Sequence, residues 1–205
     1  MKSDCYRPLP CISVAILAGG AATRLGGVDK GLMPLNARPL IAWVVESLAQ
    51  NADWPRLIIA NRNIAEYSRF APTISDRQKD EFAGPLAGVA AALLACETEW
   101  LYTVPVDSAN ANPALAMHLL QHALERGADS VVAHDGRRRQ PLFALYRRAL
   151  AESADNALSS GFGVSRWQDT IRTLEIASTG LGDVWINLNT VDDFTAMCRR
   201  MRGHD

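Results

Sequence analysis

The apolar run Ile12 to Leu17 passes directly into LAGGAATRLGGVDKG, the stretch from Leu17 to Gly31, which holds two glycine pairs, one arginine and one lysine. A short apolar segment stopped by glycines has the pattern of a strand buried in a parallel sheet. Gly19 and Gly20 lack a Cβ, so the main chain there can bring its N–H groups close to an anion. Arg24 offers a planar fork to phosphate oxygens, and Lys30 is a compact charge on a flexible stem. The familiar phosphate motifs do not fit. A P-loop ends in Gly-Lys-[Ser/Thr], but Lys30 follows Asp29 and precedes Gly31, and no G-x-G-x-x-G occurs in this loop. Kinase, GTPase and ordinary dinucleotide-binding readings are set aside.

The rest of the chain alternates between the two periodicities. Pro39 is expected to open a helix reaching Gln50, with Leu40, Val44 and Leu48 on one face. Leu57 to Ala60 reads as a second strand and Thr73 to Ser75 as a weak third. Leu86, Val89, Ala90, Leu93 and Leu94 predict an amphipathic helix from about Pro85 to Cys96. Trp100 to Val104 is a further strand, and Pro113 begins a helix to Arg126. Ser130 to Ala133 and Leu142 to Tyr146 read as strands, and Arg147 to Leu158 as helix. Thr190 can cap the last helix, and Asp193 completes a capping-box pattern that puts Asn187 and Asn189 on the preceding turn. Strands alternating with helices imply an α/β fold with a doubly wound, mostly parallel sheet, Rossmann-like, in a single domain over 1–205. Open sheets of this kind bind ligands at the carboxyl ends of their strands, where the order reverses. The segments after Leu17, before Asp76 and before Asp107 all end there.

Composition narrows the partners. Twenty-one Lys and Arg stand against 22 Asp and Glu, a net charge of −1, so no nucleic acid or anionic membrane is attracted globally. The opening MKSDCYRPLP lacks the apolar stretch of a signal peptide, and no later segment offers eighteen apolar residues in a row. Cys5, Cys11, Cys96 and Cys198 form no C-x-x-C pair, which suits reduced thiols and a cytoplasmic protein. His118 and His122 lie four apart, yet no glutamate follows His118 as a zinc helix would require. The run His134-Asp135-Gly136-Arg137-Arg138-Arg139-Gln140-Pro141 places three arginines on a turn between strands, either a solvated charge run or an anion site. Asp107, within Pro105-Val106-Asp107, suits equally a turn cap and a Mg²⁺ ligand, since magnesium needs only one or two protein carboxylates.

Taken together, Leu17-Ala18-Gly19-Gly20, Arg24, Gly26-Gly27 and Asp29-Lys30-Gly31-Leu32 resemble the nucleotide loop of the molybdenum cofactor guanylyltransferases. Asp76 followed by Gly84-Pro85-Leu86-Ala87-Gly88, then Pro105-Val106-Asp107, then Asn187-Leu188-Asn189-Thr190 agree in order and spacing. The resemblance implies transfer of GMP from GTP to the phosphate of molybdopterin, with Mg²⁺ on Asp107 and release of pyrophosphate. It implies a GTP site of Leu17, Ala18, Gly19, Gly20, Lys30, Asn61, Asp76, Gly84, Pro85, Leu86 and Asp107, with Lys30, Asp107 and Arg24 catalytic. The acceptor half, from about 113 to 205, would use Arg137, Arg138, Arg139, Arg166, Asn187 and Asn189, and the nucleotide half runs to about 112. A monomer in transient contact with molybdoenzyme maturation proteins is expected. Two departures stand out. Ile59 replaces an asparagine common in the family, and Gly161-Phe162-Gly163-Val164-Ser165-Arg166-Trp167 lacks the family's arginines shortly after the glycine, leaving Arg166 to substitute. A cytidylyltransferase for the same acceptor, a sugar-phosphate nucleotidyltransferase and a non-catalytic carrier of the finished dinucleotide are the alternatives.

Overall fold

The computed structural model describes residues 11–19, 29–49, 54–76, 84–109, 111–178, 188 and 190–202. Its strands are β1 (Ile12–Leu17), β2 (Pro34–Leu35), β3 (Arg38–Pro39), β4 (Arg56–Ile59), β5 (Thr73–Ile74), β6 (Trp100–Pro105), β7 (Ser130–His134), β8 (Arg139–Arg147) and β9 (Leu174–Ala177). Its helices are α1 (Leu40–Ala49), α2 (Ile64–Tyr67), α3 (Gly84–Ala95), α4 (Pro113–Arg126), α5 (Ala151–Ser159), α6 (Val164–Thr170) and α7 (Val191–Arg202). Seven strands form one sheet in the order β5-β4-β1-β6-β8-β7-β9, and β2 and β3 form a separate hairpin.

Alternation along the strands separates two apolar layers. Ile12, Val14 and Ile16 of β1, with Trp100, Tyr102 and Val104 of β6, pack against Ile41, Val44 and Leu48 of α1 and Leu115, Leu119 and Leu120 of α4. Ala15, Ile59, Leu101 and Val132 face the other way, onto α3, α5 and α6. Helices thus cover both faces of the sheet, as a doubly wound fold requires. A third cluster joins Leu35 and Leu40 to Ala109, Leu188, Phe194 and Met197, and so ties α7 to the hairpin.

Helix α4 begins and ends where its sequence dictates. The Asn112 side chain accepts from the Ala114 N–H at 2.8 Å, Pro113 follows at the first position, and Gly127 closes the helix in the left-handed region at φ 62°. The capping box before α7 is reciprocal: the Thr190 N–H donates to Asp193 at 2.7 Å, and the Asp193 N–H donates to the Thr190 hydroxyl at 3.2 Å.

Several expectations are corrected. β8 runs antiparallel to both β6 and β7 and is longer than Leu142 to Tyr146. Only the short turn Asp135 to Arg138 separates it from β7, too little chain for a parallel crossover. Helix α3 is not amphipathic, because Leu86 through Leu93 are all buried between the sheet and α5 and α6. Pro39 belongs to the β2–β3 hairpin rather than opening α1. Arg147 ends β8, and Arg148–Leu150 forms a 3-10 turn before α5. Helices α2 and α6 and strand β9 were not foreseen. Among the described residues no helix is long and apolar enough to cross a membrane, and Cys11, Cys96 and Cys198 are free thiols.

Close approach of α3 to the sheet depends on Gly88, where a Cβ would lie 3.2 Å from Leu17 Cδ2 and 3.5 Å from Ile59 Cγ2. A Gly88→Val variant should therefore lose about 1–3 kcal/mol of stability by overpacking, measured as a lower urea midpoint at unchanged slope.

Candidate active site

The strand order reverses at β1, which has β4 on one side and β6 on the other. In register, Leu17 lies beside Ile59 and Pro105, so three carboxyl ends open at one level. The Ala18 N–H donates to the Ile59 carbonyl at 2.8 Å, the Val106 N–H to the Leu17 carbonyl at 3.1 Å, and the Ala60 N–H to the Ile74 carbonyl at 3.0 Å. This fastening carries Gly19, Asn61, Asp76 and Asp107 to a common rim, at the place where open α/β sheets bind ligands.

On one side of the rim, Asn61 and Asp76 hold each other twice. The Asn61 Nδ2 donates to Asp76 Oδ2 at 2.9 Å, and the Asp76 N–H donates to Asn61 Oδ1 at 3.1 Å. A Cβ on Gly19 would lie 3.8 Å from Asn61 Nδ2, so the first loop residues border this pair. Gly84, in the left-handed region at φ 67°, and Pro85 are exposed at the start of α3, and Leu86 is buried beneath them. The Ile59 side chain is buried against α3, so only its carbonyl faces the loop.

On the other side, Lys30 Nζ meets Asp107 Oδ2 at 3.4 Å, with the side chains 22% and 19% exposed. Lys30 sits on the 3-10 turn Lys30–Leu32, capped by Asp29, whose side chain accepts from the Gly31 N–H. Asp107 follows β6 directly, and its own carbonyl accepts the Leu188 N–H at 2.9 Å. Burial pushes the Asp107 carboxyl above the ordinary carboxylate range, and the Lys30 ammonium pulls it back only in part. Asp107 Oδ1 is buried without a hydrogen-bond partner. A carboxylate oxygen enclosed in this way is suited to a hard divalent cation. Among the described residues no cluster of three or more His, Cys, Asp or Glu side chains forms a fuller metal cage.

A cleft of about 250 Å³ beside Asp107 is lined by Pro105, Leu142 and Phe143 together with Arg138, Arg139 and Gln140. Two of the three arginines read from the sequence therefore reach the neighbourhood of Asp107. The turn is built by Asp135, whose Oδ1 accepts the N–H groups of Arg137 and Arg138 at 2.7 and 2.8 Å. Those bonds hold its carboxyl down at about 2. Arg139 begins β8 and is ion-paired with Asp169 and Glu175. Arg137 is exposed outside the cleft lining. Arg166 lies over the Phe162 ring, 4.0 Å from its centroid. Gly20, Arg24, Asn187 and Asn189 lie outside the described residues. His118 and His122 stack edge to face on α4, with His118 against the Ala177 carbonyl at the end of β9.

Sequence reasoning missed three contributors. Asn63 and Tyr67, on or beside α2, both donate to the Asp29 carboxylate, and Gln140 donates to Asp135. Asp29 stood in the loop motif, but its partners are too distant along the chain for any spacing rule to find.

A family model for the MobA-like NTP transferase domain matches residues 14–175. The molybdenum cofactor guanylyltransferase of Vibrio parahaemolyticus is 44% identical over 150 residues, covering 73% of this chain and 75% of its own. That of Vibrio atlanticus is 36% identical over 188 residues, covering 89% and 93%. In fold, the chain is similar to the crystal structure of molybdopterin-guanine dinucleotide biosynthesis protein A from Archaeoglobus fulgidus, with a TM-score of 0.77 at 23% identity, covering 93% of this chain and 99% of that one.

The raised pKa of Asp107 sets a sign for stability. A carboxyl that binds its proton more tightly when folded favours the fold below its unfolded pKa and loses that contribution as pH rises through the folded value. In buffer with chelator, Asp107→Asn should therefore melt no lower than the parent chain at neutral pH. The difference should shrink as pH falls below the ordinary carboxylate range, as calorimetry across pH would record.

Proposed function

The chain belongs to the MobA-like NTP transferase family, and from that premise we propose that it transfers GMP from GTP to the terminal phosphate of molybdopterin, giving molybdopterin guanine dinucleotide and pyrophosphate. The observation that carries this reading is the meeting of Lys30 with Asp107 at the sheet's switch point, 3.4 Å apart, beside a glycine-bearing loop.

The chemistry asks for positioning and charge neutralisation more than for covalent help. An oxygen of the acceptor phosphate attacks the α-phosphorus of GTP, the bond from that phosphorus to the β-bridging oxygen breaks, and pyrophosphate leaves with the electron pair. A phosphate monoester with a second pKa of about 6 is mostly ionised at neutral pH, so no side chain has to remove a proton. This accords with the lack of a histidine beside Asp107 or within the phosphate loop. Lys30 stabilises negative charge on the phosphates, assisted by Arg24 and by main-chain N–H groups at Gly19 and Gly20, since the Ala18 N–H is already given to the Ile59 carbonyl. Asp107, through its unpartnered Oδ1, would hold Mg²⁺. The ion supplies Lewis-acid neutralisation of the triphosphate.

Guanine is read at Asp76. Its carboxylate can accept both the N1–H and the exocyclic N2–H of that base, a pair that cytosine does not present. Asn61 keeps the carboxylate in place by donating to one oxygen, with Gly84, Pro85 and Leu86 closing the pocket. Polar pockets of this kind reject bases that leave buried groups unpaired. The acceptor phosphate is assigned to the cleft beside Asp107, where Arg138 and Arg139 supply cations, with Arg137, Arg166, Asn187 and Asn189 as further contacts. The compartment we assign is the reducing cytoplasm.

With GTP, Mg²⁺ and molybdenum-loaded molybdopterin, the purified chain should release pyrophosphate and form the guanine dinucleotide. Absence of product with an intact acceptor, or faster turnover with CTP, would refute the assignment. Asp107→Ala should abolish turnover in a folded protein. Asp76→Asn should cost about 1–3 kcal/mol, roughly five- to 150-fold in kcat/KM for GTP, and narrow the preference over CTP.

A further inference from the structure

Asp29 is a crossing point of hydrogen bonds. It is the cap of the turn that carries Lys30, with extended backbone at φ −72° and ψ 112°. One carboxylate oxygen accepts from the Gly31 N–H at 3.2 Å and from the Tyr67 hydroxyl. The other accepts from Asn63 Nδ2 at 3.0 Å. Tyr67 is wholly buried, and burial together with the neighbouring carboxylate raises its pKa, so the hydroxyl stays a donor. Gly31 is wedged between that hydroxyl and Val106, where a Cβ would lie 2.9 Å from Val106 Cγ2. Val106 immediately precedes Asp107. Asn63 holds a left-handed backbone at φ 52°, an uncommon conformation for a residue other than glycine.

We propose that Tyr67 and Asn63 are positioning residues for Lys30. Acting through Asp29, they fix the turn that presents the lysine to Asp107. The same short segment has a second end, because Asn61 holds Asp76. The stretch Asn61-Arg62-Asn63 is thus a brace that registers the base-reading carboxylate to the phosphate-side cation. The inference rests on the functional reading above, since it assigns Lys30 to the triphosphate. Misplacing a reacting or stabilising group by about 1 Å can cost on the order of a hundredfold in rate, so a brace of this kind acts on turnover more than on affinity for the base.

Two variants isolate the effect. Tyr67→Phe removes the hydroxyl and keeps the ring, while Asn63→Gly removes the amide and keeps a residue at ease in the left-handed region. Each should lower kcat for GMP transfer roughly ten- to a hundredfold, leave KM for GTP within about twofold, and melt as a cooperative fold. In a Lys30→Ala background, Tyr67→Phe should cause no further loss, because the group it positions is gone. Losses that multiply with that of Lys30→Ala, or a rise in KM equal to the fall in kcat, would overturn the proposal while leaving the functional reading in place. A wild-type chain whose GTP turnover does not depend on Lys30 would overturn both. If Tyr67→Phe does not fold, Asn63→Gly, at an exposed site, decides the question through the same cycle.

Discussion

The Asp107 carboxylate is held under two opposed demands, and much of the architecture serves to satisfy them together. Burial at the end of β6 disfavours its charge, while the cation-binding role proposed for it would require that charge. The structure meets the conflict with one close cation, Lys30, and leaves the other carboxylate oxygen enclosed and unpartnered. An uncompensated oxygen is tolerable where a ligand completes it, and costly elsewhere. The site is thus paid for in stability, as functional sites commonly are.

What brings Lys30 and Asp107 together is the sheet rather than local sequence. They are far apart in the chain, and β1 and β6 become neighbours only because the winding direction reverses between them. Parallel register then sets Leu17 level with Pro105, and the Val106 N–H locks onto the Leu17 carbonyl. Gly88 lets α3 press against Leu17 and Ile59 from below, and Gly31 lets the lysine turn press against Val106 from the side. Two glycines in different elements thus serve one purpose, each allowing a close approach that a side chain would block.

Local chemistry made some elements readable and long-range pairing hid others. β1 was legible because an apolar run ended in glycine, and α4 because Pro113 and Gly127 mark its ends. The capping box at Thr190 and Asp193 formed as its spacing suggested. The antiparallel direction of β8 was not legible, since strand patterning carries no orientation and only the shortness of the Asp135 to Arg138 turn decides it. The length of β8 was hidden because Arg139 and Gln140 are polar and Pro141 cannot donate to a ladder. The spacing of Leu86, Val89, Ala90 and Leu93 in α3 suggested one apolar face, but the intervening alanines and Gly88 are small residues that are buried as well. Lys30, Asp76 and Asp107 could be singled out as candidates because a motif surrounded each. Asn63 and Tyr67 had no motif, and their bonds to Asp29 exist only after β4 pairs with β1.

The acceptor side shows why residue type alone underdetermines a binding role. Arg138 and Arg139 both line the cleft beside Asp107, yet they are not equivalent. The Arg139 guanidinium is already committed to Asp169 on α6 and Glu175 on β9, which draws those two elements onto β8. Spending it on an anionic ligand would mean breaking ion pairs that organise the fold's far edge. Arg138 makes no ion pair with another of the described residues, and its main chain is already fixed by the Asp135 carboxylate. Its side chain can therefore turn to an incoming phosphate without breaking an ion pair. By this reasoning the acceptor contact proposed above would fall first on Arg138, while the ion pairs of Arg139 hold the start of β8, and with it the turn, at the cleft.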